Sequence, residues 1–154
     1  KFGGHPMAAG LSLEEENVER FRRKLNEQSG LTEEDLVEKV TIDVPMPIHY
    51  IRKDLVQELS LLEPFGKGNE KPLFAQKNLW VSQMRVFGKN RNAVKMRLTD
   101  ENGYPMDGVY FGNGDEFAEE GRGKRKISIV YYPDINMYQG RESLQVIIRH
   151  YQFD

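Results

Sequence analysis

"LFAQKNLWVSQMRVFG", Leu73 to Gly88, is where the pattern of this sequence changes. Upstream, apolar residues recur at helical spacing. From here on they recur at every second position, the period of a strand with one buried face. Four further stretches share the character: "NAVKMRLTD" (92–100), "GYPMDGVYFG" (103–112), "KISIVYYPD" (126–134) and "ESLQVIIRHY" (142–151). Turn residues separate them in "KNRN" (89–92), "ENG" (101–103) and "YQGRE" (138–142). The one long connection, "GNGDEFAEEGRGKRK" (112–126), falls between the third and fourth strands and has room for a short helix over 115–119.

Five antiparallel strands with a helix between the third and fourth is the layout of the OB-fold, a small Greek-key barrel that often binds oligonucleotides. A five-stranded barrel with different wiring has the same periodicity and stays open. Ahead of the strands, Ile51, Leu55, Leu59 and Leu62 predict a helix in "IRKDLVQELSLLE", ended by Pro64 and the glycines of "PFGKGN". "VTIDVPMPI" (40–48) reads as a strand interrupted by Pro45 and Pro47. "LSLEEENVERFRRKLNEQSG" (11–30) reads as a helix with Val18, Phe21 and Leu25 on one face. Ser12 and Glu15 form its expected capping box, and Gly30 its stop. Thr32 starts a short second helix with Asp35 at the matching offset. The fold class is α+β, with one boundary inside 36–40 and domains expected at 1–37 and 38–154.

With 154 residues, 38% hydrophobic and 30% charged, the chain has the composition of a soluble globular protein. No apolar run is long enough to span a bilayer, and no membrane partner is expected. Cysteine is absent, which excludes disulfides and thiolate zinc sites and fits a reducing cytoplasm. The net charge of −2 is unevenly spread. Residues 1–62 hold eight basic against twelve acidic side chains, and residues 63–154 hold fourteen against twelve. Within the second part, Lys71 to Thr99 carries seven cations (Lys71, Lys77, Arg85, Lys89, Arg91, Lys95 and Arg97) and no acid. Such a stretch points to an anionic partner, or to a solvated strand face.

In "NAVKMRLTD", Val94, Met96 and Leu98 alternate with Lys95, Arg97 and Thr99, so one face fills a core while the other presents cations. Arg85, Lys89 and Arg91 lie just before it, and Arg141 follows the last turn. Trp80, Phe87, Tyr110, Tyr131, Tyr132 and Tyr138 are interspersed. Single-strand binders combine a basic groove with aromatic platforms, because every base offers a stacking face. Trp80 shares the register of Met84 and Val86, and Tyr131 that of Ile127 and Ile129, so these two are assigned to the core. Tyr132, at a strand end, and Tyr138, in a turn, are the platform candidates. "EPFGKGNEKP" (63–72) reads first as a stiffened bend in which Phe65 plugs a junction. A second reading has Lys67, Asn69 and Lys71 on a nucleic-acid backbone. "GRGKRK" (121–126) is a basic loop, a solvated connector by default.

"GGHPMAAG", Gly3 to Gly10, carries the last signal. Pro6 suits a first helical turn, so the glycines are read as leading into a helix N-terminus, with His5 at its mouth. The alternative is a tight turn with a solvent-facing His. This stretch resembles the GGHxxAAG signature of the DHH-associated domain, the substrate-binding domain of the DHH phosphoesterases. "LLEPFGKGNEKPLF" (61–74) resembles the linker of the RecJ exonucleases within that family, and "INMYQGRESLQVIIRHY" (135–151) the end of their OB domain.

The resemblance implies a C-terminal piece of a 5′-to-3′ exonuclease for single-stranded DNA, acting in DNA repair and recombination. Its metal centre, holding divalent Mg or Mn, would lie on an N-terminal domain with the DHH motif. The chain has no Asp-His-His, its histidines are His5, His49 and His150, and no cofactor or catalytic residue is expected on it. Gly3, Gly4 and His5 would bind substrate. Arg85, Lys89, Arg91, Lys95, Arg97, Tyr132, Tyr138 and Arg141 would bind DNA. Two other readings remain: an OB module that docks a single-strand-binding protein or another repair protein, and a different DHH phosphoesterase acting on short oligonucleotides.

Overall fold

The computed structural model describes residues 1–37 and 39–154. The expected first residue of the second domain, Glu38, lies outside the described residues. Two compact units divide the chain, Lys1–Val40 and Thr41–Asp154.

In the first unit, β1 (Phe2–His5) and β2 (Ala8–Leu11) form an antiparallel hairpin with Gly4 opposite Ala9 and His5 opposite Ala8. This corrects the expected helix. Pro6 and Met7 turn the chain back, and the Met7 N–H donates to His5 Nδ1 at 3.2 Å. Gly4 is required by packing, since a Cβ there would sit 2.7 Å from that of Ala9. The expected Ser12 cap is also corrected. A 3-10 turn, Glu15–Asn17, precedes α1 (Val18–Gln28), and Glu14 rather than Ser12 stands at its N-cap with no side-chain bond. Gly30 does stop the helix, at φ +65°. Thr32 and Asp35 form the expected capping box around the short 3-10 segment Glu33–Leu36.

The second unit is built around one sheet. A two-residue strand β3 (Val44–Pro45) runs parallel to β4 (Phe74–Phe87). A 3-10 turn (Ile48–Tyr50) and α2 (Lys53–Ser60) lie between them. Then follow β5 (Ala93–Thr99), β6 (Pro105–Phe111), α3 (Gly114–Glu120), β7 (Lys126–Tyr138) and β8 (Arg141–Phe153). The hydrogen-bonded order is β4-β5-β6-β8-β7, and β7 also pairs with β4, so the pairing returns on itself. Only β6 and β8 run parallel among these five. This is the wiring of the OB-fold, with α3 in the expected connection.

The core forms where the alternating faces meet: Leu79, Val94, Met96, Leu98, Ile127, Ile129, Tyr131, Val146 and Ile148 are all buried. Phe117 of α3 plugs one end, stacked on Tyr110 at 4.7 Å and tilted against Tyr151 at 4.3 Å. Ile48 and Ile51, wholly buried, join the same core from the segment ahead of α2. Besides the Met46 N–H donated to the Ala75 carbonyl at 3.0 Å, three contacts through side chains stitch that segment on. Tyr131 Oη donates to the Met46 carbonyl at 2.6 Å, the Ile48 N–H donates to Gln76 Oε1 at 2.7 Å, and His49 Nδ1 meets Asp100 Oδ2 at 2.8 Å.

The expected core pair splits. Tyr131 is wholly buried, but Trp80 is 46% exposed. The reason is two bulges in β4, one between Gln76 and Leu79 and one between Ser82 and Arg85. Each contains a residue at positive φ, Asn78 at 59° and Gln83 at 51°. A bulge inserts one extra residue and so reverses the inward parity. Phe74 and Gln76 face one way, Leu79 and Val81 take over, and Met84 and Val86 reverse it again. Trp80 therefore lies outward, with Lys126 Nζ 4.7 Å above its ring.

Candidate nucleic-acid interface

The second bulge also places Arg85 on the outer face, directly opposite Lys95 of β5. Like charges in that position repel one another. Two residues along β5, Arg97 stands opposite Asp107 of β6. Asp107 takes both neighbours: Lys95 Nζ lies 2.9 Å from its Oδ2, and Arg97 Nη1 donates to its Oδ1. Partial burial would raise the Asp107 carboxyl, but the bonds from Lys95 and Arg97 prevail and hold it below the ordinary carboxylate value. Two cations thus share one carboxylate, with Arg85 beside them, and this part of the outer face remains net positive.

The long hairpin of β7 and β8 supplies the opposite wall. Its turn is the two-residue pair Gln139–Gly140, at φ 48° and 75°, with Tyr138 opposite Arg141. Positive φ at both central residues is the type I′ geometry that suits strand twist, and Gly140 adopts it without steric conflict. Arg85, Phe87, Lys95, Tyr138, Arg141 and Ser143 line one depression between this hairpin and the β4–β5 face. Tyr138 is 67% exposed and Phe87 41%. The fold thus brings together here four of the residues expected from the sequence: Arg85, Lys95, Tyr138 and Arg141.

The other sites distribute differently. Lys89 lies exposed in the β4–β5 loop (88–92), one of the two loops that flank oligonucleotides in OB-folds. Arg91 shares that loop but forks onto Asp115, with Nε 2.8 Å from Oδ1, which holds the Asp115 carboxyl below its usual range. Tyr132 lies within β7 rather than at a strand end, half-buried, with Lys71 Nζ 4.2 Å over its ring. Gly3, Gly4 and His5 lie in the first unit. Sequence reasoning set Phe87 among the interspersed aromatics without assigning it to the interface. Its position two residues beyond Arg85 was the available signal. Among the described residues, no group of three His, Asp or Glu side chains could hold a metal ion. No helix among them is long and apolar enough to cross a membrane.

The wiring and the groove define an OB-fold domain whose cationic, aromatic-edged groove lies between the β4–β5 loop and the β7–β8 hairpin. The chain belongs to the RecJ family, since residues 42–150 match the RecJ OB domain. It is 37% identical over 152 residues to the single-stranded-DNA-specific exonuclease RecJ of Bacillus subtilis, covering 96% of this chain and 19% of that protein. With RecJ of Escherichia coli it shares 34% identity, covering 96% of this chain and 26% of that one. A crystal structure of Thermus thermophilus RecJ in complex with Mg2+ superposes with a TM-score of 0.74 at 22% identity, over 99% of this chain and 23% of that one. The chain spans about a fifth to a quarter of the length of these relatives.

Proposed function

We propose that this chain is the substrate-holding C-terminal part of a 5′-to-3′ exonuclease for single-stranded DNA, and that it carries strand affinity without the hydrolytic chemistry. The observation that carries the reading is the Arg85–Lys95–Arg97 cluster, in which one carboxylate, Asp107, pairs with Lys95 and Arg97 while Arg85 stands opposite Lys95, edged by the exposed rings of Phe87 and Tyr138. Arg85, Lys95 and Arg141 attract the phosphates, and Phe87 and Tyr138 stack on bases. Each stack is worth about 1–3 kcal/mol and tolerates any sequence. Lys89 extends the cationic edge along the β4–β5 loop, while Arg97 and Arg91 act chiefly on Asp107 and Asp115. Gly3, Gly4 and His5 contact substrate from the first unit, beside a centre for Mg or Mn that this chain's residues do not supply. The cellular setting is cytoplasmic DNA repair and recombination, with a single-strand-binding protein as a further partner.

Anisotropy of a labelled oligothymidine, titrated with the chain at two salt concentrations, tests the binding. Binding that weakens alike for all sequences as salt rises is expected. No binding at low salt would sink the reading. In parallel, incubation with Mg2+ or Mn2+ is expected to release no mononucleotide, and robust turnover would place the chemistry on this chain.

A further inference from the structure

A second aromatic and cationic cleft lies on the same unit, around the bend 63–72. The bend is rigid. Gly66 and Asn69 exchange backbone hydrogen bonds at 2.8 and 3.0 Å, and Asn69 Nδ2 donates to the carbonyls of Leu62 at 2.8 Å and Pro64 at 2.9 Å. Asn69 is therefore occupied in shaping the loop rather than in reaching a ligand. The loop holds Phe65 and Lys71 against Tyr132 of β7, with Lys71 Nζ 5.3 Å from the first ring centroid and 4.2 Å from the second. Lys67, Arg149 and Glu70 complete the lining, and Glu63 and Asp134 line the adjoining pocket beside Phe65, Lys71 and Tyr132. Two aromatic walls and three cations in one cleft match the two halves of a nucleotide, a flat base and an anionic phosphate.

We infer that the Phe65–Lys71–Tyr132–Arg149 cleft is a second nucleotide subsite for single-stranded nucleic acid, separate from the groove at the β7–β8 hairpin. The inference rests on the proposed function. In the free protein the Lys71 ammonium occupies the aromatic slot. An incoming base takes its place over Tyr132, and Lys71 turns with Arg149 and Lys67 onto the phosphate. The register sets the two subsites on one cross-strand row. Lys95 pairs with Val109, Val109 with Ile147, and Ile147 with Tyr132. Three inter-strand steps separate the ends of the row by about 14 Å. Val109 and Ile147 are apolar and each only 5% exposed, and the carboxylates that flank the row, Asp107 and Asp134, are bonded to Lys95 and Arg97 and to Gln145.

Photocrosslinking tests this with the whole chain and an oligothymidine carrying 5-iodouracil at single positions. Adducts on Tyr132 or Phe65 from one position, and on Tyr138 or Phe87 from another, are expected. Tyr132→Leu and Phe65→Leu keep apolar bulk and remove the π face. Each is expected to weaken a twelve-nucleotide strand roughly tenfold and to leave a strand of about four nucleotides, held in the hairpin groove, unchanged. Lys71→Gln is expected to lower the salt slope by about 0.7. Adducts confined to the hairpin groove, with both leucine variants at native affinity, would overturn the subsite and leave the proposed function standing. Cleft occupation by an acidic peptide that the oligonucleotide fails to displace would overturn it too. Failure of the strand to bind at all would sink the function itself.

Discussion

Asp107 is the residue on which the groove's charge turns. It neutralises part of Lys95 and of Arg97, and it stands in the way of any phosphate that approaches them. Replacing it with Asn, which keeps shape and loses charge, frees both cations. Asp107→Asn is expected to tighten single-stranded DNA several-fold at low salt. Its half-exposed ion pairs contribute only about 0–1 kcal/mol each to stability, so folding changes little. Calorimetric titration beside a thermal melt separates the two effects. Asp100 contrasts with it. Burial would raise its carboxyl, but the N–H of Tyr104 at 2.8 Å, His49 at 2.8 Å and the N–H of Asn102 at 2.9 Å together hold it below the usual value. A carboxyl depressed in the folded state stabilises above its unfolded value, and that stabilisation is lost as pH falls through the folded one. Asp100→Asn is therefore expected to cost about 2 kcal/mol at neutral pH. Urea melts from pH 7 down to about 2 should show the gap between native and variant narrowing below pH 4.

At the scale of elements, β4 decides which side chains meet solvent. Alternation alone assigns Trp80 to the core beside Met84 and Val86, and it misses because two extra residues sit in the strand. Asn78 is a residue type that tolerates positive φ, but Gln83 is not, so the residue types announce at most the first bulge. The bulges arise from pairing on both edges, with β7 along one half of the strand and β5 along the other, and that is a property of closure rather than of local sequence. The bulged register makes a direct prediction. Leu79→Ala is expected to cost about 2–5 kcal/mol as a core truncation. Trp80→Ala should cost no more than about 1 kcal/mol, the worth of an exposed cation–π contact. Equal costs in chemical denaturation would return Trp80 to the core. The β7–β8 turn was more legible, because Gln-Gly between alternating strands already signals a tight hairpin. Gln139→Asn places the residue type that best tolerates the first position of a type I′ turn. It should raise the melting temperature, with a gain of about 0.5 kcal/mol.

For the molecule as a whole, the five strands, the α3 plug and the cationic character of β5 all follow from local patterning, because each depends on residues within a few positions of one another. The pairing of Arg91 with Asp115, the hairpin in place of a helix at Gly3–Gly10 and the cleft around Tyr132 depend on residues brought together by the turns and ladders of the fold. Charge distribution connects the two scales. The net charge is −2, yet Arg85, Lys95 and Arg97 cluster on the outer β4–β5 face, and acids are frequent in the helical segments of the first unit. A chain of this kind attracts a polyanion through one face while its net charge opposes unspecific adhesion. The expected signature is a linear fall of log affinity with log salt, at about 0.7 per phosphate neutralised for a single strand. Arg85→Glu and Lys95→Glu together replace a repulsive pair of cations with a repulsive pair of anions and turn the Lys95–Asp107 ion pair into a further repulsion, so a thermal melt run beside the titration shows that the variant is folded while the phosphate contacts are lost. The double variant is expected to bind every sequence at least tenfold more weakly, with a slope shallower by about 1.4. A slope unchanged from the native chain would mean that the strand is held elsewhere on the molecule, and the groove at the β7–β8 hairpin would lose its role.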